Sequence, residues 1–158
     1  MIKFLAVLSV ACLLITGLGA CKAEQETLAN NPDEVVITLE RTACHGFCPI
    51  YSLTIHGDGT VIYEGEDFVK TVGRANSVIS KEKVEQLISE FEKVDYDSLK
   101  NAYTEKTITD APTVITSITR NGKTKTVEHY HGDFSAPEKL TELEDKVDEI
   151  VNSEQWVQ

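Results

Sequence analysis

The stretch from Val35 to Gly65, VVITLERTACHGFCPIYSLTIHGDGTVIYEG, constrains the fold of this chain more than any other. Val35, Ile37 and Leu39 alternate with Val36, Thr38 and Glu40, and Tyr51, Leu53 and Ile55 alternate with Ser52, Thr54 and His56. A period of two sets every second side chain on the same side of an extended backbone, so both runs predict strands with one buried and one wet face. A third run begins at Thr60, after Gly57-Asp58-Gly59. Glycine tolerates the positive φ of a short hairpin loop and the Asp side chain supports the turn. The first connection, Thr42 to Pro49, is of another kind. It holds Cys44-His45-Gly46-Phe47-Cys48 and then a proline, and every chemical reading of the chain passes through it.

Beyond Gly65 the pattern predicts a short fourth strand over Phe68 to Val72. It then changes period. Val84, Leu87, Ile88 and Phe91 follow i, i+3, i+4, i+7, the stripe of an amphipathic helix, with Ser80 placed to cap its N-terminus. Residues 95–112 read as irregular, anchored by Tyr96, Leu99 and Tyr103. Val114 to Arg120 and Lys123 to His131 flank Asn121-Gly122, the strongest short-range hairpin signal, which pairs Arg120 with Lys123 and Val114 with His129. Ser135-Ala136-Pro137-Glu138 has capping-box spacing and opens a second stripe, Leu140, Leu143, Val147, Ile150 and Val151. The order βββ(β)-α-ββ-α predicts an α+β fold: an antiparallel sheet of five to six strands with two helices packed on one face. Strand and helix do not alternate, which argues against a parallel nucleotide-binding sheet.

At 158 residues, 41% hydrophobic and 26% charged, the chain suits one globular domain, expected over residues 34–158. A core of that size needs neither a metal nor many disulfides to hold it. The formal charge is −11, from 15 Lys and Arg against 26 Asp and Glu, and without Lys3 of the first 20 residues it becomes −12. Nucleic acid and anionic head groups are repelled by such a surface, so no nucleic-acid partner is expected.

Residues 1–20 read as a secretion signal: Lys3, an apolar run from Phe4 to Ile15, then small residues. The apolar segment is short of the roughly 20 residues that a spanning helix needs. Its end, Leu18-Gly19-Ala20-Cys21, resembles the bacterial lipoprotein box, in which cleavage before the Cys leaves that Cys as a lipidated N-terminus. The resemblance implies palmitate-type acylation of Cys21 and a membrane partner held through the acyl chains, each buried CH₂ contributing about 0.8 kcal/mol. Residues 21–33 then form the lipidated Cys and a flexible linker with a coil reach on the order of 20 Å. Lys22 is not the Asp that retains such proteins at the inner membrane, so an outer-membrane site facing the periplasm or cell surface is favoured.

Glu40-Arg41-Thr42-x-Cys44-x-Gly46-x-Cys48-Pro49-x-Tyr51, followed by Gly57-Asp58-Gly59-Thr60-Val61-x-Tyr63-x-Gly65, resembles the hallmark of the bacterial family known as domain of unknown function 6438. Thr109-Asp110-x-Pro112 and His129-Tyr130-x-Gly132 match it more loosely. The resemblance covers roughly residues 34–152 and implies an envelope context, with no catalytic residue carried over. His45 stands where an aromatic residue is expected.

Three chemistries compete for the cysteines. Cys12 leaves with the signal and Cys21 takes lipid, so Cys44 and Cys48 remain as an even pair, which outside the cytoplasm is most simply a disulfide. A redox thiol is the second reading, although the spacing is C-x-x-x-C and a strand follows rather than a helix N-terminus. A metal site is the third: Cys44, His45 and Cys48 together with His129 and His131. No nucleophile elbow, H-E-x-x-H or phosphate-binding loop is present, so catalysis has no sequence support and no cofactor is expected. The function expected from sequence is a non-catalytic binding or structural domain tethered in the envelope, with an unidentified envelope protein as a candidate partner; the alternative is a metal- or thiol-dependent activity.

Overall fold

The computed structural model describes residues 34–158. The predicted signal over residues 1–20, Cys21 and the linker up to residue 33 lie outside the described residues. The elements run in the order β1 (Val36–Arg41), β2 (Ile50–His56), β3 (Thr60–Asp67), β4 (Gly73–Val78), α1 (Lys81–Lys93), β5 (Ala102–Tyr103), β6 (Thr113–Arg120), β7 (Lys123–Tyr130), α2 (Glu138–Val151) and α3 (Glu154–Val157), with a 3₁₀ turn at Tyr96–Ser98. The strands form one sheet in the order β4-β3-β2-β1-β6-β7-β5. The first strand in sequence is therefore the middle strand in space.

Both hairpins form where turn chemistry places them. Gly59 has φ +91°, and the Asp58 carboxylate accepts the Thr60 amide at 2.8 Å. At the other hairpin Asn121 and Gly122 both take positive φ, +50° and +71°, the two-residue turn whose twist matches paired strands, and Arg120 sits opposite Lys123. Val114 faces His129 as the count from that turn requires.

The alternation seen in the sequence becomes a two-layer core. Ile37, Leu39, Leu53, Ile55, Val61, Tyr63, Val114, Ile118 and Val127 are buried on one face of the sheet, and Val84, Leu87, Ile88 and Phe91 of α1 with Leu140, Leu143, Val147, Ile150 and Val151 of α2 join the same cluster. Ser80 caps α1, its hydroxyl accepting the Lys83 amide at 3.4 Å. Trp156 of α3 stacks on Tyr63, ring centroids 4.9 Å apart, and closes the core beneath β3. The opposite face is wetter. Thr38 and Ser117 bond across it at 2.6 Å, as do Thr119 and Thr124 at 2.8 Å.

The α+β class holds, but the sheet has seven strands rather than five or six and is not wholly antiparallel, and the described residues form three helices rather than two, the short α3 following α2 after a left-handed Asn152. The added strand, β5, pairs parallel with β7 through Ala102 opposite Glu128 and Tyr103 opposite His129. Two residues are too few to leave a periodic trace. The fourth strand lies at Gly73–Val78, not over Phe68 to Val72. Phe68 has φ +52°, and the Lys70 and Thr71 amides donate to the Val157 and Trp156 carbonyls, so the end of the chain holds this segment as a loop. β4 escapes a sequence reading because it is an edge strand, GRANSV, with no large apolar residue turned to the core. Ser135 does not cap α2: Pro137 is the N-cap and makes no side-chain bond, while the Ser135 amide is taken by Asp133 at 2.8 Å. Among the described residues no helix is long and apolar enough to cross a membrane.

Candidate functional site

The strand register gathers distant residues into one line. Gly73, Gly65, Tyr51, Arg41, Val114, His129 and Tyr103 are successive partners across β4, β3, β2, β1, β6, β7 and β5. Partners in such a row point to the same face. Here that is the helix-covered face, and the row is its polar end. Above it runs α2, whose Glu144 and Asp148 are one helical turn apart and therefore both look down on the row.

Asp148 is the hub of the half nearer β2. Arg41 donates from Nε to its Oδ2 at 2.9 Å and places Nη2 2.8 Å from the same oxygen, with a second bond from Nη2 to the more exposed Asp145 at 3.2 Å. The Tyr51 hydroxyl donates to Asp148 Oδ1 at 2.7 Å and the Ser153 hydroxyl to the same atom at 2.5 Å. Burial disfavours the charge on Arg41, yet the Asp148 carboxylate beside it, with Tyr51 and Glu144, more than offsets this and raises its pKa. Burial, reinforced by Asp148, pushes the Tyr51 phenol above its ordinary range. A cavity of about 560 Å³ opens beside these groups, walled by Arg41, Pro49, Tyr51, Asn152 and Val157.

The half nearer β7 is built on Glu144, which has no exposure at all. Its Oε1 lies 2.8 Å from His129 Nδ1 and its Oε2 2.8 Å from His131 Nε2. Burial alone would raise the pKa of this carboxyl, but hydrogen bonds from His129 and His131, with their positive potential, hold it below the usual value. The imidazoles differ in setting: the His129 side chain is 5% exposed, with the Tyr103 ring edge-on to it, and that of His131 is 24% exposed.

The loop after β1 leads away from this row into solvent. Cys44 and Cys48 are joined as a disulfide, with their Cα atoms 5.7 Å apart. Closing so short a loop constrains the unfolded chain by about 2 kcal/mol on the entropy model. The loop is pinned by the His45 amide, which donates to the Asp110 carbonyl at 3.2 Å. Phe47 stands at its tip, 86% exposed, and meets Phe68 of the β3–β4 loop edge-on at 5.3 Å between centroids.

Of the residues singled out in the sequence, the structure thus brings His129 and His131 together and joins Cys44 to Cys48, but as two separate arrangements. The histidines meet a carboxylate, and the sulfurs meet each other. Glu144 and Asp148 escaped the sequence reading. Glu144 carried a signal: it falls inside the apolar stripe of α2, four residues after Leu140 and seven before Val151, where a charge requires a buried partner. Asp148 gave none, since it lies at the stripe's margin.

Among the described residues no buried side-chain polar atom is left without a partner, so the row is a set of closed pairs roofed by a helix. These features define a two-layer α+β domain with a disulfide-closed loop at one end of its sheet. The family model for Domain of unknown function (DUF6438) matches residues 35–151, and the chain belongs to that family. No curated protein matches the chain.

Proposed function

We propose that this chain is a lipid-anchored envelope protein whose domain works by binding rather than catalysis, tethered through Cys21 and presenting the disulfide-closed loop to a protein partner. The lipoprotein-box residues Leu18-Gly19-Ala20-Cys21 support the anchor, Lys22 favours the outer membrane, and the Cys44–Cys48 disulfide accords with an oxidising compartment. A non-catalytic role is supported by the state of the acids: Glu144 and Asp148 are each bound to two or more donors of the same domain, leaving neither poised to serve a substrate.

The observation that carries the binding role is the Phe47–Phe68 pair. A ring 86% exposed is costly to keep in water, and a cross-linked loop holds it out at little further loss of conformational freedom on association. The pair also lies at the far end of β1 from the residue where the tether enters, about 20 Å away at strand rise, so it faces outward from the anchored end.

Two measurements test the reading. Cells given labelled palmitate should incorporate label into the wild-type chain and none into Cys21→Ser; label in both, or in neither, would sink the anchor. A photo-crosslinking residue at position 47 should give a discrete adduct, lost on Phe68→Ser, while the same residue at Asp58, at the opposite end of the sheet, should give none. Equal adducts at both positions would sink the loop as the binding end.

A further inference from the structure

We propose that His129, His131 and Glu144 form a divalent transition-metal site, with zinc the best fit, that fastens α2 to the end of β7.

The donor set is two imidazole nitrogens and one carboxylate, the combination suited to zinc and its first-row neighbours, whereas calcium and magnesium take oxygen alone. One ring nitrogen of each histidine and a Glu144 oxygen lie within 4.8 Å of one another, and His129 Nδ1 and His131 Nε2 are the nitrogens that face the carboxylate. A tetrahedral zinc with bonds of about 2.1 Å holds its ligand atoms about 3.4 Å apart. The widest of these separations exceeds that spacing by no more than about 1.4 Å, and the 2.8 Å nitrogen-to-oxygen contacts must open by about 0.6 Å. His131, 24% exposed, has the most room to move.

Charge argues in the same direction. Glu144 is fully buried, and its partners are two histidines rather than a Lys or Arg; the nearest guanidinium, Arg41, is committed to Asp148. A carboxylate in that position demands a counter-charge, which a dication supplies without ionising either ring. On coordination each imidazole presents the lone pair of the nitrogen that now faces Glu144: a neutral ring carries its proton on the other nitrogen, and a protonated ring releases one proton to solvent. Three protein ligands leave a fourth position, reached past His131 from solvent, for water. The cysteines play no part, because both sulfurs are bonded to each other.

The experiment uses the full chain in detergent, without reductant, titrated with zinc chloride against a chromophoric chelator. One equivalent of zinc should bind, and calcium at the same concentration should not displace it. His131→Ala, which removes the more exposed histidine and leaves Glu144 its bond to His129, should weaken binding by at least roughly tenfold. Zinc should also raise the thermal midpoint of the wild type and not that of His131→Ala. Cobalt in place of zinc should give the visible bands of nitrogen and oxygen ligation without thiolate charge transfer. The proposal is overturned if no zinc binds, if binding is unchanged in both His131→Ala and Glu144→Gln, as acidic surface groups would give, or if cobalt shows thiolate bands. None of these outcomes bears on the lipid anchor or on the Phe47 loop.

Discussion

Asp148 shows how much one side chain can be asked to hold. Its two oxygens receive Arg41 of β1, Tyr51 of β2 and Ser153 just before α3, so a single carboxylate ties two strands to the end of the chain. Removing a partner from such a set costs more than the bond itself, because what remains is a half-buried charge without its counter-ion. Asp148→Asn should therefore destabilise the domain by about 2–3 kcal/mol, read from urea unfolding, while Tyr51→Phe, which deletes a neutral donor and strands nothing charged, should cost only about 1 kcal/mol. Equal losses would mean that Asp148 acts as a plain acceptor and that the Arg41 charge is satisfied by Asp145.

At the scale of elements, the β3–β4 connection depends on Gly65. A Cβ on this residue would overlap the Thr71 carbonyl and the Tyr63 ring, and Tyr63 donates its hydroxyl to that same carbonyl at 3.1 Å. Gly65→Ala should cost about 1–3 kcal/mol by forcing the loop off α3, and amide exchange should quicken at Lys70 and Thr71 before it quickens in β1. Exchange that quickens uniformly would contradict this. The same connection marks the limit of what the sequence made legible. The two hairpins, β6–β7 among them, could be read because their turn residues dictate local geometry whatever surrounds them, and β1 and β2 because one face of each is apolar. Phe68 to Val72 looked like a strand for the same reason, but its backbone groups are taken by Val157 and Trp156, residues almost ninety positions away that no local pattern announces. β4 and β5 are polar or minimal edges that exist only because a neighbour offers them a ladder.

The whole molecule has an alkaline limit written into its tyrosines. Tyr51, Tyr63 and Tyr96 are buried, and burial raises the pKa of each above the ordinary 10.0. An acid whose folded pKa is raised contributes its full stability below the unfolded value and loses it as pH climbs past that value, because the unfolded chain ionises first. Urea midpoints should thus be flat from about pH 8 and fall progressively above about pH 10. Tyr96→Phe, which loses the bonds to Thr116 at 2.7 and 2.8 Å, should start lower and fall less steeply. A decline as steep as the wild type's would show that other groups set the limit. The candidate site is a property of this same scale. His129 and His131 were visible in the sequence as a pair, yet their partner Glu144 is reached only when α2 lies back across the sheet, and Arg41 and Tyr51 gain Asp148 by the same fold. Sequence spacing measures distance along the chain: the Asp148 contacts cross about a hundred residues of it, and the Glu144 contacts, 15 and 13 residues long, join a strand to a helix across a turn in the chain.

The strand order has a mechanical consequence. The described residues begin at Glu34, two positions before β1, which lies in the centre of the sheet between β2 and β6, antiparallel to both. Any pull applied at Glu34 is delivered to two hydrogen-bonded ladders at once, which must slide together before either yields. A load entering at Glu34 would thereby be met first at the stiffest seam of the sheet.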